Sequence, residues 1–181
     1  GVGIGALAAL LSKIPFARAV QNIKYDESTN AMSITSDGKI GFPNQSSFSG
    51  TLSGTQSVAS GSSVKMEIAT ETYDEMNEFD SSTNYRFTAT EAGKYLCCGV
   101  AYATGMADGN FVDVTIKKNG SQVGVGLMKL GASSSAAPTV SVVVELAADD
   151  YIELFSQHNN GSNKDFLSGV AYTQLMVQRV G

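Results

Sequence analysis

The chain of 181 residues contains no tryptophan, one histidine, two cysteines and three prolines. The two cysteines, Cys97 and Cys98, are adjacent, which excludes a disulfide framework. They lack Cys-x-x-Cys spacing and a second pair, so the common zinc and dithiol motifs are excluded too. Neighbouring strand residues point to opposite faces, so these thiols do not bridge each other, and the redox compartment is left open. A lone His158 cannot build a multi-histidine metal site. With no nucleophile signature around it, it is read as a solvated loop residue or a contact on a binding surface rather than a catalytic base. Charged residues make up only 16% and the net charge is −5, with no basic stripe, so nucleic acid is excluded as a partner. No uncharged apolar run approaches the roughly 20 residues of a membrane span. The glycines of "GVGIGA" follow no strand and precede no Lys-Ser/Thr, so they form no phosphate loop.

What is present is glycine, serine, threonine and asparagine, in short clusters between apolar runs. Nineteen glycines and this punctuation predict an all-β protein. The length suits one well-packed domain with an appendage. From Phe48 onward, strands are predicted over 48–52, 64–72, 85–89, 94–104, 111–118, 122–130, 139–146, 151–158 and 167–178. Val112, Val114 and Ile116 alternate with Asp113, Thr115 and Lys117. Val140, Val142, Val144 and Leu146 line one face of "TVSVVVEL". A two-sheet sandwich follows.

Residues 1–47 are predicted to be an attachment or trimerisation segment. A chain opening on Gly1 is expected to be a processed product or an excised fragment. Ile4, Leu7, Leu10, Leu11 and Ile14 follow helical spacing until Pro15, which predicts an amphipathic helix that packs on a partner subunit or neighbouring protein, with membrane contact as the alternative. Asp37-Gly38 between β-prone runs predicts a hairpin, with strands at Met32–Ile34 and Lys39–Phe42. Such a ribbon is marginal alone and is expected to lean on copies of itself.

The order "YDEMNEFDSSTNYRFTATEAGKYLCCGVAY", "VTIKKNGSQV", "VSVVVELAADDYIEL" and "FLSGVAY" resembles the globular head of complement C1q and its tumour necrosis factor relatives. Phe79-Asp80, Phe87-Thr88-Ala89, Gly93 and Tyr95 stand in that family's register. So do Lys118-Asn119-Gly120, Leu146, Asp150, Ile152 and Gly169. Where the pattern has a glycine the chain has Asp149, and where it has aromatic residues the chain has Cys97 and Gly99. The resemblance spans residues 48–181 and implies a ten-stranded jelly roll assembled as a homotrimer. Consistent with this, strands such as 95–102 and 140–144 are apolar on both faces, and surplus apolar surface marks an interface. Cys98, Val100, Tyr102 and Val143 are the expected trimer-interface residues, while Cys97 fills the core. No collagen-like repeat precedes the head. "AMSITSDGKIGF" instead resembles the short glycine-containing β-repeats of bacteriophage fibres.

The expected function is non-enzymatic. The chain reads as a trimeric virion fibre or surface protein that adheres to a host receptor or glycan, or decorates the particle. Its N-terminal segment would hold other virion proteins. The alternative is a secreted, extracellular C1q-like pattern-recognition or lectin module. The loops "ATGMADGN" and "SQHNNGSNKD" are the candidate binding loops, with Tyr102, Asp108, Asn110, His158, Asn159 and Asn160 as candidate ligand contacts. No cofactor is expected. Calcium is left open, with Asp149 and Asp150 as its candidate ligands, although neither of the acidic stretches "ETYDEMNEFD" and "ELAADDYIE" has a calcium-loop pattern.

Overall fold

A computed structural model describes residues 21–24, 30–34, 37–42 and 44–181. The chain divides into two compact units, Gly1–Gln45 and Ser46–Gly181. The helix expected before Pro15 lies outside the described residues. In the first unit, β1 (Gln21–Lys24), β2 (Asn30–Ile34) and β3 (Ile40–Gly41) form an antiparallel meander. The predicted hairpin is β2–β3, with Ile34 opposite Ile40 and Gly38 at φ 81°, a conformation glycine adopts without a Cβ penalty. Strand β1 adds to it, and Ile40 and Phe42 remain exposed.

The second unit is a jelly-roll sandwich of antiparallel strands. One sheet runs β15 (Thr139–Leu146), β10 (Gly93–Val100), β18 (Gln174–Arg179), β4 (Ser47–Leu52), β7 (Ile68–Asp74). The facing sheet runs β13 (Ser121–Lys129), β12 (Phe111–Lys118), β16 (Tyr151–His158), β9 (Arg86–Thr88), β8 (Phe79–Asp80), with β6 (Val64–Lys65) also paired to β16. A small third sheet caps one end: β14 (Ser134–Ala136), β11 (Ala103–Met106), β17 (Lys164–Phe166), β5 (Gln56–Val58). Strand β4 runs toward this cap and β10 runs parallel to it, since both pair antiparallel with β18. The C-terminal residues return to the opposite end, where the Lys94 N–H donates to the Gly181 carbonyl.

Strands 111–118, 139–146 and 151–158 form as predicted, because apolar residues at every second position leave one register that buries that set. Three predictions fail at bends. The run 94–104 breaks at residues 101–102, where the chain leaves the five-stranded sheet and Ala103 enters the cap. The run 64–72 breaks at Met66-Glu67 as the chain passes from one sheet to the other. Residues 167–173 form a loop rather than strand, turned by Gly169 at φ 114° and anchored by buried Thr173, whose Oγ1 accepts from the Tyr102 N–H at 3.1 Å.

The core is filled from both sheets. Phe48 stacks on Phe79 with ring centroids 3.9 Å apart, and Phe87 and Tyr95 extend the cluster. At Gly99, where the family pattern carries an aromatic residue, Leu154 takes the space. A Cβ on Gly99 would lie 2.4 Å from Leu154 Cδ1.

Candidate functional site

The five-stranded sheet presents an outward face that is almost free of charge at its centre. Alternation on β10 sends Tyr95, Cys97 and Gly99 inward and Leu96, Cys98 and Val100 outward. Register then builds rows across the sheet. Val143 stands beside Leu96 and Gln178, while Ser141, Cys98, Met176, Ser49 and Tyr73 form the next row. Tyr102 continues the outward column of β10 and packs on Tyr172, ring centroids 4.8 Å apart. Val143 is 57% exposed and Met176 37%, values that belong to unpartnered surface. Of the four expected interface residues, Cys98, Val100 and Val143 share this face, while Tyr102 lies just past the end of β10 against the 167–173 loop. Met176 and Tyr73 join them through register, and neither was among the expected residues.

The cysteines take opposite sides. Cys97 is buried, and burial pushes its thiol up to about 12. Cys98 is half-buried on the outward face, where Ser141 Oγ donates to its sulfur at 3.3 Å.

The two candidate binding loops meet at the cap end. Asn160 Oδ1 accepts from the Ala107 N–H at 2.7 Å and from Asn110 Nδ2 at 3.1 Å, while Asn159 Oδ1 accepts from the Phe111 N–H. These asparagines staple one loop to the other. His158 departs from the solvated position read from the sequence. It is fully buried, with Nε2 3.0 Å from the Val58 carbonyl and Nδ1 accepting from the Asn160 N–H at 3.2 Å. Those two contacts select the neutral Nε2–H tautomer. The reason is positional: β16 ends beneath the cap, where the ring packs on Phe166. Asp108 stands exposed at the loop tip.

At the opposite end, Asp150 closes two turns together. Its carboxylate accepts from the Ala147 N–H and Asn119 Nδ2 and pairs with Lys118 Nζ at 2.8 Å. These contacts, led by the Lys118 hydrogen bond, hold its pKa down at about 2. Asp149 sits at φ 69°, the left-handed conformation that the family's glycine suits. Among the described residues no group of three or more His, Cys, Asp or Glu is placed to hold a metal, and Asp149 and Asp150 belong to no such group.

Two predictions arise here. Asp149→Gly is expected to stabilise the fold by about 0.5–1 kcal/mol by relieving the positive φ, read as a raised urea midpoint at constant slope. For Asp150, a depressed folded pKa means that its contribution is complete above about pH 4, the unfolded carboxylate range, and fades as pH falls toward its folded value of about 2. Asp150→Asn is thus expected to lower the urea midpoint at pH 6, and the gap from the parent should shrink steadily below pH 4.

No family model and no curated protein matches the sequence. The likeness is in the fold, which is the jelly roll shared by the tumour necrosis factor and C1q head structures. In particular the chain is similar to Eiger TNF from S. frugiperda, with a TM-score of 0.58 at 9% identity, covering 76% of this chain and 92% of that one. The globular domain of zebrafish complement 1qA protein gives 0.56 at 16% identity, covering 75% and 98%. Murine APRIL, in its structure at pH 8.5, gives 0.56 at 10%, covering 76% and 100%.

Proposed function

We propose that the protein is a non-enzymatic homotrimeric recognition head of a virion fibre or virion surface, binding a host receptor or glycan through its cap-end loops. The observation that carries this reading is the uncharged, partly apolar outward face of the five-stranded sheet around Leu96, Cys98, Val100, Val143 and Met176. A monomer would leave that face in water, and three copies closed about an axis would bury it. Trimerisation also supplies function. Three weak contacts at the cap end act together, raising avidity over a single site by about 10²–10⁴-fold where geometry allows simultaneous engagement. The N-terminal unit, with its glycine-turned ribbon, would hold the head to other virion proteins.

Light scattering of the purified chain tests the assembly: a mass three times 18.9 kDa is expected, and a monomer overturns the reading. Recognition is tested by binding to host cells. Substituting exposed Asp108, Ser162 and Asn163 should weaken attachment, while buried His158 and the asparagine staples are left in place to keep the cap folded. The likeness to the complement head favours one alternative, a secreted pattern-recognition module. Immunogold labelling decides between them, since a virion protein decorates purified particles and a secreted module does not.

A further inference from the structure

The loops at the two ends of the sandwich differ in composition. The terminal end carries Glu75, Glu78, Asp80, Glu91, Asp149 and Asp150. The cap-end segments 53–63, 130–138 and 159–163 contain no charged residue, only hydroxyl, amide, glycine and apolar residues, while Glu67, Asp108, Lys164 and Asp165 are the charged residues beside them. An open cleft of about 290 Å³ lies at this end, between the β4–β5 connection and the start of β7. Its lining includes Ser53, Thr55, Gln56, Ser57 and Glu67.

Gln56 fixes the shape of this cleft. Its side-chain Nε2 donates to the Lys65 carbonyl at 2.8 Å, and its Oε1 accepts from the Glu67 N–H at 2.9 Å, so the amide bridges β5 to the segment that carries Glu67. The Glu67 carboxylate is exposed and belongs to none of the four ion pairs found among the described residues. Most small-molecule sites of about 300–1,000 Å³ are apolar with a few polar anchors. This one sits at the lower size limit; beside Leu52 and Gly54 it offers the hydroxyls of Ser53, Thr55 and Ser57 and one carboxylate, the Gln56 amide being engaged in its bridge. Such a surface matches a ligand that is itself covered in hydroxyl groups. A carboxylate accepts two hydroxyl donors at once in short, charge-assisted bonds. It repels anionic ligands.

We infer that this cleft binds one pyranose ring of an uncharged surface glycan, with Glu67 bridging two ring hydroxyls and Ser53, Thr55 and Ser57 completing the contact. The inference rests on the recognition reading above and names the ligand class of the cap end. One weak site per head is enough when three act together.

Biolayer interferometry of the intact protein on immobilised polysaccharides tests it, with neutral glucan, mannan and galactan set against polyuronate and polysialic acid. Binding to at least one neutral polysaccharide and to neither acidic one is expected. Glu67→Ala and the pair Ser53→Ala with Thr55→Val should each weaken that binding at least tenfold. Both variants alter exposed or loop positions, so melting temperature and mass should stay at parent values. Parent-like binding by both variants, or preference for the acidic polymers, overturns the site. If binding persists in these variants yet is lost on substituting Asp108, Ser162 and Asn163, the recognition reading stands and the cleft assignment falls. If the parent binds none of the five polymers, the glycan reading falls with it.

Discussion

Gly126→Ala is expected to destabilise the sandwich by about 3 kcal/mol or more, near the upper end of overpacking costs, and to lower the melting temperature by roughly 10 °C. The reason lies in how the two sheets meet at one edge. Strand β13 of the six-stranded sheet carries Gly124 and Gly126 on its inward side, in register with Ile116 and Val114. Those glycines bring it against β15 of the other sheet. A Cβ on Gly126 would lie 1.9 Å from the Thr139 carbonyl oxygen and 2.7 Å from its carbon. Both atoms are backbone, so no rotamer change relieves the clash, and β15 would have to move away with Val140, Val144 and Leu146 still needing burial. At Gly124 the nearest atoms are the side chains of Val140 and Val142 at 3.1 Å, so alanine there is expected to cost less. Gly54 has nothing within 4 Å and serves as the control, with alanine expected within about 0.5 kcal/mol of the parent. Urea denaturation of the three variants checks the ranking. A Gly126→Ala protein as stable as Gly54→Ala would show that the sheet edge is looser than its geometry.

The fold was largely legible because its strands alternate cleanly and its turns use residues that tolerate positive φ. Asn119-Gly120, at φ 50° and 79°, forms the two-residue turn that the Lys-Asn-Gly motif predicts between β12 and β13. Short strands such as β5, β14 and β17 were not legible. Three residues carry too little pattern, and each exists because the cap supplies its neighbours. The burial of His158 was hidden for a similar reason. Its position at a strand end beside polar loop residues looks solvated, until β5 and β17 close over it. The outward face was visible as unexpected apolar residues on β10 and β15, but Met176 and Tyr73 joined it only through register across β18 and β7. Glu67 gave no sequence signal at all, since its setting is created by the bridge from Gln56, eleven residues away.

Met176→Arg is expected to convert a trimer into folded monomers. Met176 sits in the row with Cys98 and Tyr73 and is 37% exposed, so a monomer accommodates arginine in water without disturbing the core. In a closed trimer the same guanidinium would be buried without a carboxylate on a face whose neighbours are Ser141, Cys98 and Ser49. An uncompensated buried charge costs about 3–5 kcal/mol, and threefold symmetry imposes it at every interface. Cys98 gives an independent readout. Cys97 is fully buried and out of a bulky reagent's reach, so a thiol that reacts in the native protein is Cys98. A trimer shields Cys98 from a bulky thiol reagent, and the monomeric variant should react at one thiol per chain. Light scattering should fall to 18.9 kDa while circular dichroism keeps its β signature. Avidity for a multivalent surface should drop by about 10²–10⁴-fold as three linked contacts become one. A Met176→Arg protein that still weighs three chains, with Cys98 still protected, would place the assembly interface elsewhere and leave the outward face without a partner.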